Sequence, residues 1–302
     1  MSFEWLAWSN PVALWWGFLL VVSTANIALL LLLHSHFRKG TLNPVRETIR
    51  FEILFLLCAA YVFGCAFRSV LPRADVQRIV LFDTWLSSVL VGRSVATVAE
   101  ICFAVQWAIV LRHLANLTNS DTARNISNVI VPLILLAEFC SWYAVITTSY
   151  LGHAVENSIW AVAFLLIAGA LLRLLPRFNG IVQIAIGSAV IGISGYLLFL
   201  RIVDVPMYFN RWQADVTSGK ELFGLLAGLH DVSTRWAVTH DIAQWKDEIA
   251  WMSLYFSMAV WSSLALCGIG LVKDRLPQYR TDPANSSPVN RRLPVRVKAG
   301  AG

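Results

Sequence analysis

PVALWWGFLLVVSTANIALLLLL, residues 11–33, contains no charged side chain. At 1.5 Å of rise per residue this run makes a helix of about 35 Å, enough to cross roughly 30 Å of hydrocarbon, where a backbone must satisfy its own hydrogen bonds. Residues 1–10 before it hold no Lys or Arg, and the apolar run is too long for a signal-peptide core, so it is expected to be retained as a helix. Six more stretches meet the same requirement, at about 51–70, 90–111, 129–149, 156–175, 181–202 and 249–272. The expected fold is an all-α membrane protein, a seven-transmembrane-helix bundle over residues 1–275, followed by a disordered basic cytoplasmic tail at 276–302 with Pro283, Pro288 and Pro294 and no apolar periodicity.

Composition supports this reading. The 302 residues are 57% hydrophobic and only 14% charged, against roughly 25% charged in soluble domains, and the mean hydropathy is +0.63. The five cysteines (Cys58, Cys65, Cys102, Cys140, Cys267) fall inside apolar runs, which makes them packing residues rather than a disulfide framework or metal site. The net charge of +6 comes with seven of the 24 Lys and Arg residues in the last 30 positions, which places the charge at a membrane face and argues against a nucleic-acid partner.

Loop charge gives the orientation, because positively charged short loops stay in the cytoplasm. Fifteen Lys and Arg fall on the side of loop 34–50 and the tail, and nine on the other, five of those in or beside the long segment 201–248. The expected placement is the plasma (inner) membrane, multi-pass, with the N-terminus outside and the C-terminus in the cytoplasm. The sequons at Asn116 and Asn125 then face the cytoplasm and should be unused. Segment 203–248 spaces Leu222, Leu225, Leu226, Leu229, Val232 and Trp236 by threes and fours. That pattern predicts one amphipathic helix, an extracytoplasmic helical cap between helices 6 and 7.

A charge at mid-bilayer costs about 2.5–3.5 kcal/mol even on the gentlest scale, so such residues face the bundle interior and mark function. Glu100 and Glu138 qualify. Arg93, seven residues before Glu100, returns to the same helix face. The fourth span carries Trp142 and Tyr143 above Glu138, and the next turn brings His153, Glu156 and Asn157. Glu100, Glu138, His153 and Glu156 are therefore the candidate catalytic groups. Arg93, Trp142, Tyr143, Asn157, Arg201, Asp204, Arg211 and Trp212 are the candidate substrate contacts. The competing reading is an intramembrane ion pair that fixes helix packing, with Trp142 and Tyr143 as interfacial anchors. The His230-Asp231 and His240-Asp241 pairs are weak metal candidates, since one continuous helix would oppose Asp231 and His240.

Absences exclude several classes. All six histidines lie at or beyond span ends, so haem is not expected, and the last span has no Lys for a retinal Schiff base. There is no GxSxG, HExxH, P-loop or GxGxxG, and no cofactor is predicted. The favoured expectation is an enzyme acting on a membrane lipid or other amphiphile by acid/base chemistry from an outer-facing pocket. The alternatives are a proton- or cation-coupled transporter, or a non-catalytic receptor or membrane-complex subunit. In the last case small residues such as Gly187, Gly192, Gly195, Ser262 and Ser263 would let a homo-oligomer or partner helix approach.

Overall fold

The computed structural model describes residues 4–6, 9–38 and 51–269, without the Phe51 side chain. The tail expected at 276–302 and the basic residues Lys39, Arg46 and Arg50 lie outside the described residues.

Among the described residues, seven helices are long and apolar enough to cross a membrane: Pro11–Arg38, Glu52–Val70, Val89–Thr118, Asp121–Thr147, Tyr150–Arg177, Gly180–Thr217 and Ile242–Ile269. They form an all-α bundle built from α1 (Pro11–Arg38), α2 (Phe51–Val70), α3 (Val89–Thr118), α4 (Asp121–Thr147), α5 (Tyr150–Leu174) and α6 (Gly180–Phe199). α7 (Val205–Thr217) continues α6 through a π-helical turn at Leu200–Asp204. A second π turn, Tyr255–Ala259, joins α9 (Ile242–Leu254) to α10 (Val260–Ile269).

Short, capped connections set the neighbours. Ser88 caps α3 by accepting from the Val91 N–H, Ser120 caps α4 by accepting from Ala123, and Asn119 and Thr148 close α3 and α4 in the left-handed conformation. Two-residue links therefore hold α3, α4 and α5 antiparallel. Gly152 on α5 lets it sit against α4, since a Cβ there would lie 2.7 Å from the Ala144 Cβ.

Between α2 and α3 the chain makes a hairpin, β1 (Arg73–Ala74) with β2 (Ile79–Val80). β3 (Ala237–Val238) adds to β2 in parallel, with Ile79 opposite Ala237. The turn places Arg78 in the left-handed region at φ 59°, and its guanidinium reaches Asp231 at 2.8 Å, the Val145 carbonyl at 2.6 Å and the Asp75 carbonyl. This ties the hairpin to α4 and to α8 (Leu225–Thr234) over one end of the bundle. Burial pushes the Asp231 carboxyl up, but hydrogen bonds from Arg235 and Arg78 outweigh it and hold Asp231 below the usual carboxylate range.

Segment 203–248 is not one amphipathic helix. Its first part extends the sixth helix to Thr217, with Pro206 just after the π turn Leu200–Asp204, where the helical hydrogen-bond ladder is already irregular. Gly219, at φ 69°, ends that helix, Leu225–Thr234 forms a separate one, and residues 242–248 already belong to α9. α8 docks closely on α4: a Cβ at Gly228 would fall 2.1 Å from the Ile146 carbonyl oxygen.

The interior also satisfies the backbone freed by the second π turn. The Asn26 amide donates to the Phe256 carbonyl at 2.8 Å and accepts from the Trp261 indole at 2.9 Å.

Candidate functional site

Glu100 and Glu138 are both buried, at 4% and 3% exposure, and both turn inward to one guanidinium. Arg93 Nη2 lies 2.7 Å from Glu138, 3.1 Å from Glu100 and 3.4 Å from Glu156. α3 supplies Arg93 and Glu100 on one face, α4 supplies Glu138 and α5 supplies Glu156, so the cluster crosses three helices near the end where the hairpin lies.

Each carboxylate has a second support. The Thr97 hydroxyl donates to Glu138 at 2.5 Å and accepts from the Trp142 indole at 3.1 Å. The Tyr255 hydroxyl donates to Glu100 at 2.9 Å, and Arg68 stands 3.8 Å from the same oxygen. Glu156 hydrogen bonds His153 Nδ1 at 2.6 Å. With Nδ1 committed to a carboxylate, Nε2 is the imidazole nitrogen left to exchange a proton. Asn157 donates to Asp204, which joins α5 to the π turn at the end of α6.

Carboxylate oxygens of Glu100, Glu138 and Glu156 lie within 4.8 Å of one another, a spacing a cation could use. Arg93 Nη2 already sits on an oxygen of all three, so the positive charge there belongs to the protein and the trio fits a metal poorly.

Two chambers meet at this cluster. The larger, about 340 Å³, lies between α3, α5, α6 and the seventh spanning helix. Its walls are mainly apolar, including Phe103, Trp107, Trp160, Phe164, Phe199 and Met258, and Arg93, Glu100, Glu156 and Asn157 border it as well. The smaller, about 40 Å³, lies under the hairpin among Arg68, Arg73, Asp75, Gln77, His153 and Glu248. Arg93, Glu156, Asn157 and Trp251 border both chambers. On the hairpin, burial lowers Arg73 to about 10; Asp75 opposes that shift and Arg68 adds to it. Burial raises Asp75, yet Arg73 and Arg68 outweigh it and hold its carboxyl below the usual range.

The remaining expected residues divide. Arg211 reaches Glu248 at 3.1 Å and Asp247 at 2.9 Å and lies over the rings of Tyr150 and Tyr208, one step out from the small chamber. Arg201 and Tyr143 are exposed, and Trp212 packs on Phe209; none of the three borders either chamber. His230, Asp231, His240 and Asp241 are not gathered. His230 bonds Thr234, Asp231 serves Arg78 and Arg235, and Asp241 caps α9. His240 stacks on Trp5 and meets the Leu81 carbonyl. Gly192 and Gly195 of α6 do not mediate packing inside this chain: a Cβ at either meets nothing within 4 Å, and both border the large chamber.

Sequence reasoning passed over Arg68, Arg73, Asp75 and Tyr255. Arg68 carried a usable signal, since it falls inside the apolar run 51–70 and meets the criterion that selected Arg93. Arg73 and Asp75 carried none, because they reach the site through a fold-back of the α2–α3 connection.

No family model, curated protein or solved structure matches the chain.

Proposed function

We propose that this protein is a membrane-embedded enzyme that binds an amphiphile with its apolar part in the large chamber and its polar part at the Arg93 cluster, and transforms it by acid/base chemistry. One observation carries the reading: an apolar cavity and a polar one share Arg93, Glu156 and Asn157 as their common wall. A cavity of about 340 Å³ is within the range that small-molecule sites occupy, and its placement between helices suits entry from the bilayer.

His153 is the general base, oriented through Nδ1 by Glu156, and it borders the polar chamber where the reacting group would lie. Arg93 stabilises negative charge that develops there, and Glu100 and Glu138 hold Arg93 in place. The site faces the outer side of the plasma membrane. The loop charge supports that orientation, and segment 203–248 with the hairpin then forms an outer cover.

The test is a lipid extract incubated with purified protein in detergent and followed by mass spectrometry. The expected result is one amphiphile class changed in mass by the wild type, with the rate reduced by about 10²–10⁴ in His153→Gln. An extract that the wild type leaves unchanged removes the enzyme.

A second reading, a proton-coupled carrier, is favoured by the two π turns, Leu200–Asp204 and Tyr255–Ala259, which lie in two of the helices that flank the large chamber. Such turns are local irregularities where helices can shift. Flux into proteoliposomes that depends on Glu100 and Glu138 would support the carrier, and its absence would remove it.

A further inference from the structure

Three guanidinium groups border the small chamber, each from a different element: Arg68 at the end of α2, Arg73 on β1 and Arg93 on α3. All three are buried, at 3%, 2% and 3% exposure. Each keeps one nitrogen without an acceptor: Arg68 Nη1, Arg73 Nη2 and Arg93 Nε. Buried donors are ordinarily paired, so three around one space need a common explanation.

The protein's own carboxylates do not supply it. Arg93 engages its carboxylates through Nη2, and Arg73 gives Nε to Asp75 at 2.9 Å. Arg68 is held by the rings of Trp251, Tyr255 and Phe256 at 5.5–5.9 Å, and Glu100 at 3.8 Å is beyond hydrogen-bond reach. The acids beside the chamber have partners already: Glu248 takes Arg211 and Gln77, and Glu156 takes His153 and Arg93.

The chamber itself is built closely around one of these groups. Gly92 on α3 has no side chain where the Arg73 guanidinium passes, and a Cβ there would lie 1.2 Å from Arg73 Cζ. The space of about 40 Å³ has room for about three waters at roughly 10–15 Å³ each, or for one compact group with several acceptor oxygens. Burial lowers Arg73 to about 10, so an added negative charge favours its charged form.

We infer that the small chamber is an oxyanion pocket, and that its ligand is the phosphate, sulfate or carboxylate headgroup of an amphiphile whose chain occupies the large chamber. Guanidinium donors from three directions suit an oxygen-rich anion and give a neutral hydroxyl headgroup little to match. The inference rests on the amphiphile reading above and adds the chemical class of the head.

Equilibrium binding to the purified full chain in an uncharged detergent tests it with three probes: monodecyl phosphate, decanol and inorganic phosphate. Monodecyl phosphate is expected to bind at least about tenfold more tightly than decanol, and Arg68→Gln to remove most of that difference. Decanol binding retained by Arg68→Gln shows that the variant's chamber is intact. Equal affinity for monodecyl phosphate and decanol overturns the oxyanion pocket and leaves the amphiphile site standing. Binding of neither overturns both. Inorganic phosphate binding as tightly as monodecyl phosphate keeps the anion pocket but overturns the headgroup, making the ligand a soluble anion. A preference unchanged in Arg68→Gln means the anion sits elsewhere and also overturns the assignment.

Discussion

Arg93 is the residue on which the interior depends, because three buried carboxylates answer to one of its nitrogens. Removing it leaves Glu100, Glu138 and Glu156, all buried, without their shared cation. Breaking a buried pair from one side costs about 3–5 kcal/mol, and Arg93→Gln is expected at that level. Glu138→Gln removes one carboxylate while Arg93 keeps the other two and the new amide oxygen can still accept from Thr97; about 1–3 kcal/mol is expected. Denaturant unfolding of the two variants in micelles checks the order, and equal losses would contradict the central role given to Arg93. The two glutamates were legible in the sequence because each stands as a lone acid in a long apolar run. Their sharing of one guanidinium with Glu156 was not, because it depends on the rotation of α3, α4 and α5 about their axes. The tight turns at 119–120 and 148–149 and the Gly152–Ala144 approach set that rotation.

Among the elements, the spanning helices were readable because hydrocarbon thickness enforces their length, whereas the hairpin was not. Its strands are two residues each and their pairing to β3 joins positions more than 150 apart in the chain. Periodicity cannot show such pairs. The large chamber was equally hidden, since Trp160, Phe164 and Phe199 read as ordinary lipid-facing residues until α6 is seen standing away from the seventh helix. The hairpin's fit to α3 makes a prediction in which two similar changes have opposite signs. Ala normally stabilises a helix by up to about 1 kcal/mol over Gly. At Gly195, open on all sides, that gain is expected. At Gly92 the new methyl occupies the space of the Arg73 guanidinium, which must leave Asp75 and the Ser88 carbonyl. A net loss of about 1–3 kcal/mol is expected there. Thermal unfolding of Gly92→Ala and Gly195→Ala measures both, and a stabilised Gly92→Ala would mean that Arg73 does not need this seat.

For the whole molecule, seven candidate spans among the described residues would put the two ends of the bundle's chain path on opposite faces, and the hairpin, α8 and β3 gather at one end. Loop charge makes a prediction about which face that end meets. The end bearing loop 34–50, the α3–α4 turn and the α5–α6 turn holds the positive excess, so the covered end is expected to be the outer one. The covered end is not poor in arginine, yet Arg68, Arg73, Arg78 and Arg93 are buried, and the last three pair with acids within the fold. Buried charges offer little to a headgroup surface or to the insertion machinery, so the opposite end's bias is expected to dominate. Two single cysteines decide the matter: Ser218→Cys, at the exposed end of α7, and Asn179→Cys, in the link before α6, where the native side chain makes no capping bond. The five native cysteines lie within spanning helices, so wild-type labelling supplies the background to subtract. With a membrane-impermeant maleimide on intact cells, Ser218→Cys is expected to label, and Asn179→Cys only after the membrane is opened. The reverse pattern would turn the hairpin and both chambers toward the cytoplasm, and the amphiphile would then have to reach its site from the inner leaflet.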